Sequence, residues 1–73
     1  MKKAFRLEGL GCANCAAKMQ EAIGKIDGVD SAAVNFATAK LVIVGEDDRM
    51  ESIVESARAI IKKIEPDVVL VKA

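Results

Sequence analysis

The chain has no histidine, no tryptophan and no tyrosine, a single proline (Pro66) and two aromatic side chains, Phe5 and Phe36. Lack of histidine removes the commonest general base and the commonest nitrogen ligand for a metal ion. With no activated nucleophile and no phosphate-binding glycine loop either, no catalysis by this chain alone is expected. Two aromatics are too few for a base-stacking platform. There is also no excess charge of one sign, because eleven Lys and Arg are matched by eleven Asp and Glu. The phosphate-driven affinity of a nucleic-acid binder is therefore missing, and no nucleic-acid partner is expected. No apolar run approaches the ~20 residues that span a bilayer. Met1-Lys2-Lys3 leads into a charged segment rather than a signal-peptide apolar region. These absences predict a cytoplasmic chain with no direct membrane insertion.

What is present reads as one globular domain over residues 1–73, with 52% apolar and 30% charged residues. A chain of this size buries only ~60% of its unfolded surface, so function is expected near the surface. From Ala4 to Glu8, Phe5 and Leu7 alternate with Arg6 and Glu8, the pattern of a strand with one wet face. Gly9-Leu10-Gly11 interrupts it. Cys15, Met19, Ala22, Ile23 and Ile26 then recur at helical spacing, with Lys18, Glu21 and Lys25 outward, and Gly28 past Asp27 fits the stop. Alternation returns from Val29 to Phe36, Ala37-Thr38-Ala39 allows a turn, and Leu41 to Val44 completes a hairpin. Gly45-Glu46-Asp47-Asp48 offers a turn and capping oxygens for a second helix. Its apolar stripe is Met50, Ile53, Val54, Ala57, Ile60, Ile61 and Ile64. Pro66 ends it and biases Glu65 toward an extended backbone. Val68 to Lys72 reads as a last strand.

The order β-α-β-β-α-β predicts an α+β ferredoxin-like sandwich, a four-stranded antiparallel sheet with two helices on one face. In that topology the loops alternate between two ends. The first strand meets the first helix at the end that carries the cysteines, together with the turn near Ala37 to Ala39 and the connection Ile64-Glu65-Pro66-Asp67. Glu65 and Asp67 are then the carboxylates best placed to approach the cysteines, with Glu8 behind them. The acidic run Glu46-Asp47-Asp48 falls at the opposite end and reads as a solvated turn and helix cap.

Cys12 and Cys15 are the only cysteines, spaced as Cys12-Ala13-Asn14-Cys15. This spacing puts the first sulfur in a glycine-flexed loop and the second on the first helical turn, so both can face one point. The positive end of the helix favours thiolate over thiol, and thiolates are what metal ligation needs. A structural disulfide or two idle small hydrophobes does not suit a polar, flexible loop in a reducing compartment. A thioredoxin-like redox pair also starts a helix after a strand. Here the Trp and Pro flanks are missing and the chain is too short for that fold. Metal carriage is the remaining reading, with two protein ligands that leave coordination positions open for exchange.

Gly9-Leu10-Gly11-Cys12-Ala13-Asn14-Cys15-Ala16, followed by Ile26-Asp27-Gly28-Val29 and Val34-Asn35-Phe36, resembles the heavy-metal-associated domain family over essentially the whole chain. The resemblance implies the β-α-β-β-α-β fold and a role as a free metallochaperone or as the N-terminal module of a metal-exporting P-type ATPase. Its closest likeness is to modules of pumps for zinc, cadmium and lead. Copper relatives usually carry Met two residues before the first Cys, where this chain has Leu10, which favours Zn²⁺, Cd²⁺ or Pb²⁺ over Cu⁺. The alternative is a free-standing Cu(I) metallochaperone. Partners implied are the transport domain of a P-type ATPase or a metal donor or acceptor protein, and a monomer is expected.

Zinc-type relatives often place Asp immediately before the first Cys as a third ligand, and here that position is Gly11. Zn²⁺ and Cd²⁺ prefer about four donors while Cu(I) accepts two or three soft sulfurs. A divalent ion would need a carboxylate, a water or a partner's ligand, and Glu65 is the candidate, against its alternative as a solvated acid at a helix end. The metal site is therefore expected at Cys12 and Cys15 with Glu65. Leu10 is expected to anchor the loop, Met19 and Met50 to be core, and Lys18 to be solvated or to steer docking on an acidic patch.

Overall fold

The computed structural model describes residues 1–72. Strand β1 spans Lys2–Glu8, helix α1 Ala13–Gly24, β2 Val29–Asn35, β3 Lys40–Gly45, α2 Met50–Ile64 and β4 Val69–Lys72, with a single 3₁₀ turn over Asp47–Arg49 leading into α2. The expected order of four strands and two helices is met. All three strand pairings are antiparallel, and the sheet runs β2-β3-β1-β4. The ferredoxin-like α+β sandwich follows.

Period two in the strands and the 3.6-residue period in the helices meet in one core. Phe5 and Leu7 from β1, Leu41 and Ile43 from β3 and Leu70 from β4 pack against Met19 and Ile23 of α1 and Ile53, Ala57 and Ile61 of α2. Met19 and Met50 are core, as expected. Truncating a fully buried isoleucine such as Ile23 or Ile61 to Ala would cost about 2–5 kcal/mol, the transfer term plus the cavity left behind.

Three local expectations are corrected. Helix α1 stops at Gly24, not at Asp27-Gly28. Lys25 and Ile26 donate to carbonyls three residues back, Ala22 and Ile23, at 3.2 and 3.1 Å. This tightened last turn lets half-buried Ile26 reach the core from outside the helix. Second, the 46–48 carboxylates do not cap α2, whose N-terminus has no side-chain cap. Glu46 turns instead to Arg49 at 3.5 Å and Asp47 to the N-terminal ammonium at 3.6 Å. Third, β2 ends at Asn35, and Phe36 is an exposed turn residue.

The elements run up and down the sandwich, so one end gathers the β1–α1 loop, the β2–β3 turn and the α2–β4 connection. Leu7 N–H ties the end of β1 to the β2–β3 turn by donating to Ala39 O at 2.7 Å, and Val68 N–H closes the α2–β4 connection on itself by donating to Glu65 O at 3.1 Å. Gly9 lies at φ +88°, where a side chain is strained. An added Cβ would stand 2.9 Å from the Asp67 carbonyl oxygen. This close approach presses the loop that bears the cysteines against the α2–β4 connection.

Candidate metal centre

Cys12 is the N-cap of α1, with extended backbone (φ −132°, ψ 111°), and its carbonyl accepts the first intrahelical bond from Ala16 N–H at 3.0 Å. Its Sγ accepts from Cys15 N–H at 3.2 Å, filling the place that a serine or aspartate oxygen usually takes. Cys15 lies one turn into the helix, over the same pole. Both thiols are free and partly exposed. The first turn of α1 holds no acidic residue, so nothing there cancels the positive end of the helix.

These contacts divide the two thiols. Cys12 is lowered from the ordinary thiol range, first by a hydrogen bond from the Cys15 side chain and then by the backbone N–H groups of Cys15 and Asn14, against burial and the charge of Glu65. Cys15 is raised, first because its own proton is held in that bond to Cys12, then by burial and by the negative charges of Cys12 and Glu65, while Lys18 pulls the other way. Of the two sulfurs, Cys12 is the one biased toward thiolate. Binding a metal ion through both sulfurs releases whatever protons they still hold.

Glu65 is where the topology placed it. Its backbone is extended (φ −143°, ψ 94°) before Pro66, and its N–H closes α2 by donating to Ile61 O at 2.8 Å. Its charge is felt by both thiols. The residue is half-buried, and its Oε2 is buried without a hydrogen-bond partner. A buried carboxylate oxygen left unpaired is costly and calls for a positive or donating partner. Asp67 and Glu8 are exposed, and neither is among the charges that act on the thiols. Asp67 serves the site through its carbonyl, the atom that Gly9 approaches. Among the described residues no set of three or more Cys, Asp, Glu or His side chains is gathered closely enough to hold an ion. The two sulfurs thus stand together, with Glu65 beside them rather than joined to them.

The surroundings leave the sulfurs accessible. Ala13, Asn14 and Gly11 are exposed, and a Cβ on Gly11 would meet nothing within 4 Å. Leu10 is half-buried against the core and anchors the loop, as expected. Lys18 is exposed. Among the described residues, no helix is long and apolar enough to cross a membrane.

Residues 4–67 match the heavy-metal-associated domain family. The chain belongs to that family. Within this heavy-metal-associated domain, 68 residues are 31% identical to a "Cadmium, zinc and cobalt-transporting ATPase" of Bacillus subtilis, covering 93% of this chain and 10% of that protein. A 45-residue stretch is 44% identical to a "Probable cadmium-transporting ATPase" of Listeria monocytogenes, covering 62% of this chain and 6% of that one. The chain thus spans about a tenth or less of the length of these relatives. Among solved structures, the N-terminal domain of a potential copper-translocating P-type ATPase from Bacillus subtilis, in its Cu(I)-loaded state, superposes with a TM-score of 0.77 at 30% identity. That likeness covers 97% of this chain and 84% of the other.

Proposed function

We propose that this domain binds one soft or borderline heavy-metal ion, Zn²⁺, Cd²⁺ or Pb²⁺, through the thiolates of Cys12 and Cys15, with Glu65 as third donor. It passes the ion on by ligand exchange as the N-terminal module of a heavy-metal-exporting P-type ATPase. The observation that carries this reading is the Cys12 sulfur at the N-cap, held toward thiolate by the N–H and thiol of Cys15. Two sulfurs at an exposed helix start bind an ion while leaving positions through which an acceptor's thiolates enter. As the entering sulfur bonds to the ion, one protein sulfur departs, and its proton returns from solvent. The domain's own part is to hold and release, and hydrolysis would belong to other parts of a pump.

Glu65 supports a divalent ion. Its unpartnered buried Oε2 needs a cation or a donor, and its anionic charge favours a dication over a monocation. A second reading, carriage of Cu(I) by a free-standing chaperone, is favoured by the absence of a gathered three-donor set among the described residues. Two sulfurs suffice for Cu(I).

Competitive titration with Zn²⁺, Cd²⁺, Pb²⁺ and Cu(I) under reducing conditions separates the two. With no Trp or Tyr in the chain, sulfur-to-metal charge-transfer bands stand clear in the ultraviolet. One equivalent of divalent ion is expected, and Glu65→Gln should weaken Cd²⁺ and Zn²⁺ binding by roughly tenfold or more while sparing Cu(I). Equal divalent affinity in parent and variant removes Glu65 from the site. Tight binding of Cu(I) alone transfers the assignment to the second reading.

A further inference from the structure

The helices cover one face of the sheet and leave the other open. Phe5, Leu7, Leu41, Ile43 and Leu70 face the core, so their strand neighbours face the opposite way. On that open face the register sets Arg6 directly across from Lys40, Ala4 across from Val42 and Lys2 across from Val44. Ala33 and Val71 extend the face on either side, opposite Val42 and Arg6. Small apolar side chains thus form a centre flanked by three cations and one carboxylate, Glu8. Lys2, Arg6 and Lys40 are exposed, and none has an ion-pair partner among the described residues. Like charges directly opposite each other across two strands are destabilising, so the fold gains nothing from setting Arg6 against Lys40.

A matching counter-charge lies on the same molecule, on the helix side. Asp48, Glu51 and Glu55 line, with Ser52, a shallow groove of about 370 Å³ at the start of α2. All three carboxylates are exposed and lack ion-pair partners among the described residues. The nearby acids differ, since Glu46 and Asp27 are held by Arg49 and Asp47 by the N-terminus. The net charge of the chain is zero, so no overall repulsion keeps two copies apart.

We propose that the open, basic sheet face of one copy docks the acidic α2 groove of a second copy in a weak, salt-sensitive association. The two surfaces differ, so the contact is heterologous, head to side rather than face to face. An anionic membrane fits the face less well: a carboxylate sits among the cations, and the chain has no Trp or Tyr to anchor at a lipid interface. Neither surface includes the cysteines, and the association is independent of metal.

The test is an amide NMR dilution series of the whole chain with reductant and chelator present, at about 10 mM and about 300 mM salt, where screening lengths differ several-fold. At low salt, amides near Arg6, Lys40 and Val42 and those near Asp48, Glu51 and Glu55 should shift together with concentration, and the shifts should vanish at high salt. A double variant, Arg6→Glu with Lys40→Glu, and a triple variant, Asp48→Lys, Glu51→Lys and Glu55→Lys, should each lose the effect alone. Mixing the two should restore it. Concentration-independent spectra at low salt overturn the proposal, as do shifts confined to one of the two surfaces. Binding of the sheet face to phosphatidylglycerol vesicles without self-association assigns that face to lipid and overturns it too. The variants are confirmed as folded by their amide dispersion, and Cys12→Ser with Cys15→Ser should associate as the parent does.

Discussion

The two ends of this sandwich are built on opposite plans. At the far end the chain is fastened: Arg49 bonds Asp27 at 2.9 Å and reaches Glu46 at 3.5 Å, and the N-terminal ammonium donates to Gly45 O at 2.7 Å. Gly45 is buried so tightly that an added Cβ would lie 2.7 Å from Gly28 O. At the cysteine end there is no ion pair among the described residues. Cys12 is held below and Cys15 above the ordinary thiol range, and a Glu65 carboxylate oxygen is buried without a hydrogen-bond partner among the described residues. The far end ties Arg49, Glu46, Asp27, Asp47 and the N-terminus to one another, whereas the cysteine end has no such ties among the described residues. On the proposed function, stability and binding are separated along one molecule some 31 Å long.

This contrast can be broken at its closed end first. Gly45→Val forces the Cβ against the Gly28 carbonyl and the Ile53 side chain, and should cost about 2–4 kcal/mol in urea unfolding. Metal affinity of the fraction still folded should be unchanged, and a matching loss of affinity would show that the two ends are not separable. Gly9→Ala tests the other end. Its positive φ and the approach to Asp67 O should cost about 1–3 kcal/mol, and here metal binding should weaken as well, because the loop that carries Cys12 moves. A stability loss with metal affinity untouched would detach that loop from the site.

The division between the thiols gives a smaller effect. Iodoacetamide at neutral pH should label Cys12 several-fold faster than Cys15, as read by peptide mapping. A lowered thiol supplies more thiolate at a given pH, so the preference should be greatest below the ordinary thiol range and fade as pH rises through it and Cys15 ionises. Equal labelling at neutral pH would contradict this division between the thiols. The smallest effect belongs to Arg49→Ala. Its partners are exposed, so the urea midpoint should fall only slightly, and raising the salt should erase the difference.

Much of this contrast is legible in the sequence, for reasons that differ between residues. Phe5 and Leu7, and Met50, Ile53, Ala57 and Ile61, announce their elements because burial repeats with the period of the backbone. The element order fixes which loops share an end, and so brings Glu65 to the cysteines across about fifty residues of chain. Local chemistry is less legible. The carboxylates at 46–48 have the composition of a helix cap, yet Arg49 and the N-terminus take two of them. A propensity cannot weigh a cap against an ion pair formed by distant parts of the chain. Ile26 keeps helical register in the sequence although the helix has ended at Gly24, since a tightened turn reaches the same side of the core. The N-cap role of the Cys12 sulfur and the buried Oε2 of Glu65 depend on side-chain geometry that spacing does not encode. Charge counting alone finds no surface of one sign, because Arg6 and Lys40 become neighbours only through strand register.

The central claim is that the two sulfurs act on one ion together. Cd²⁺ titration of the double variant Cys12→Ala, Cys15→Ala beside the parent, each against a competing chelator whose own absorbance reports the free ion, tests it. The one-equivalent affinity of the parent should be lost in the variant while its amide spectrum keeps the parent fold. Retention of the parent's affinity in that variant would contradict it.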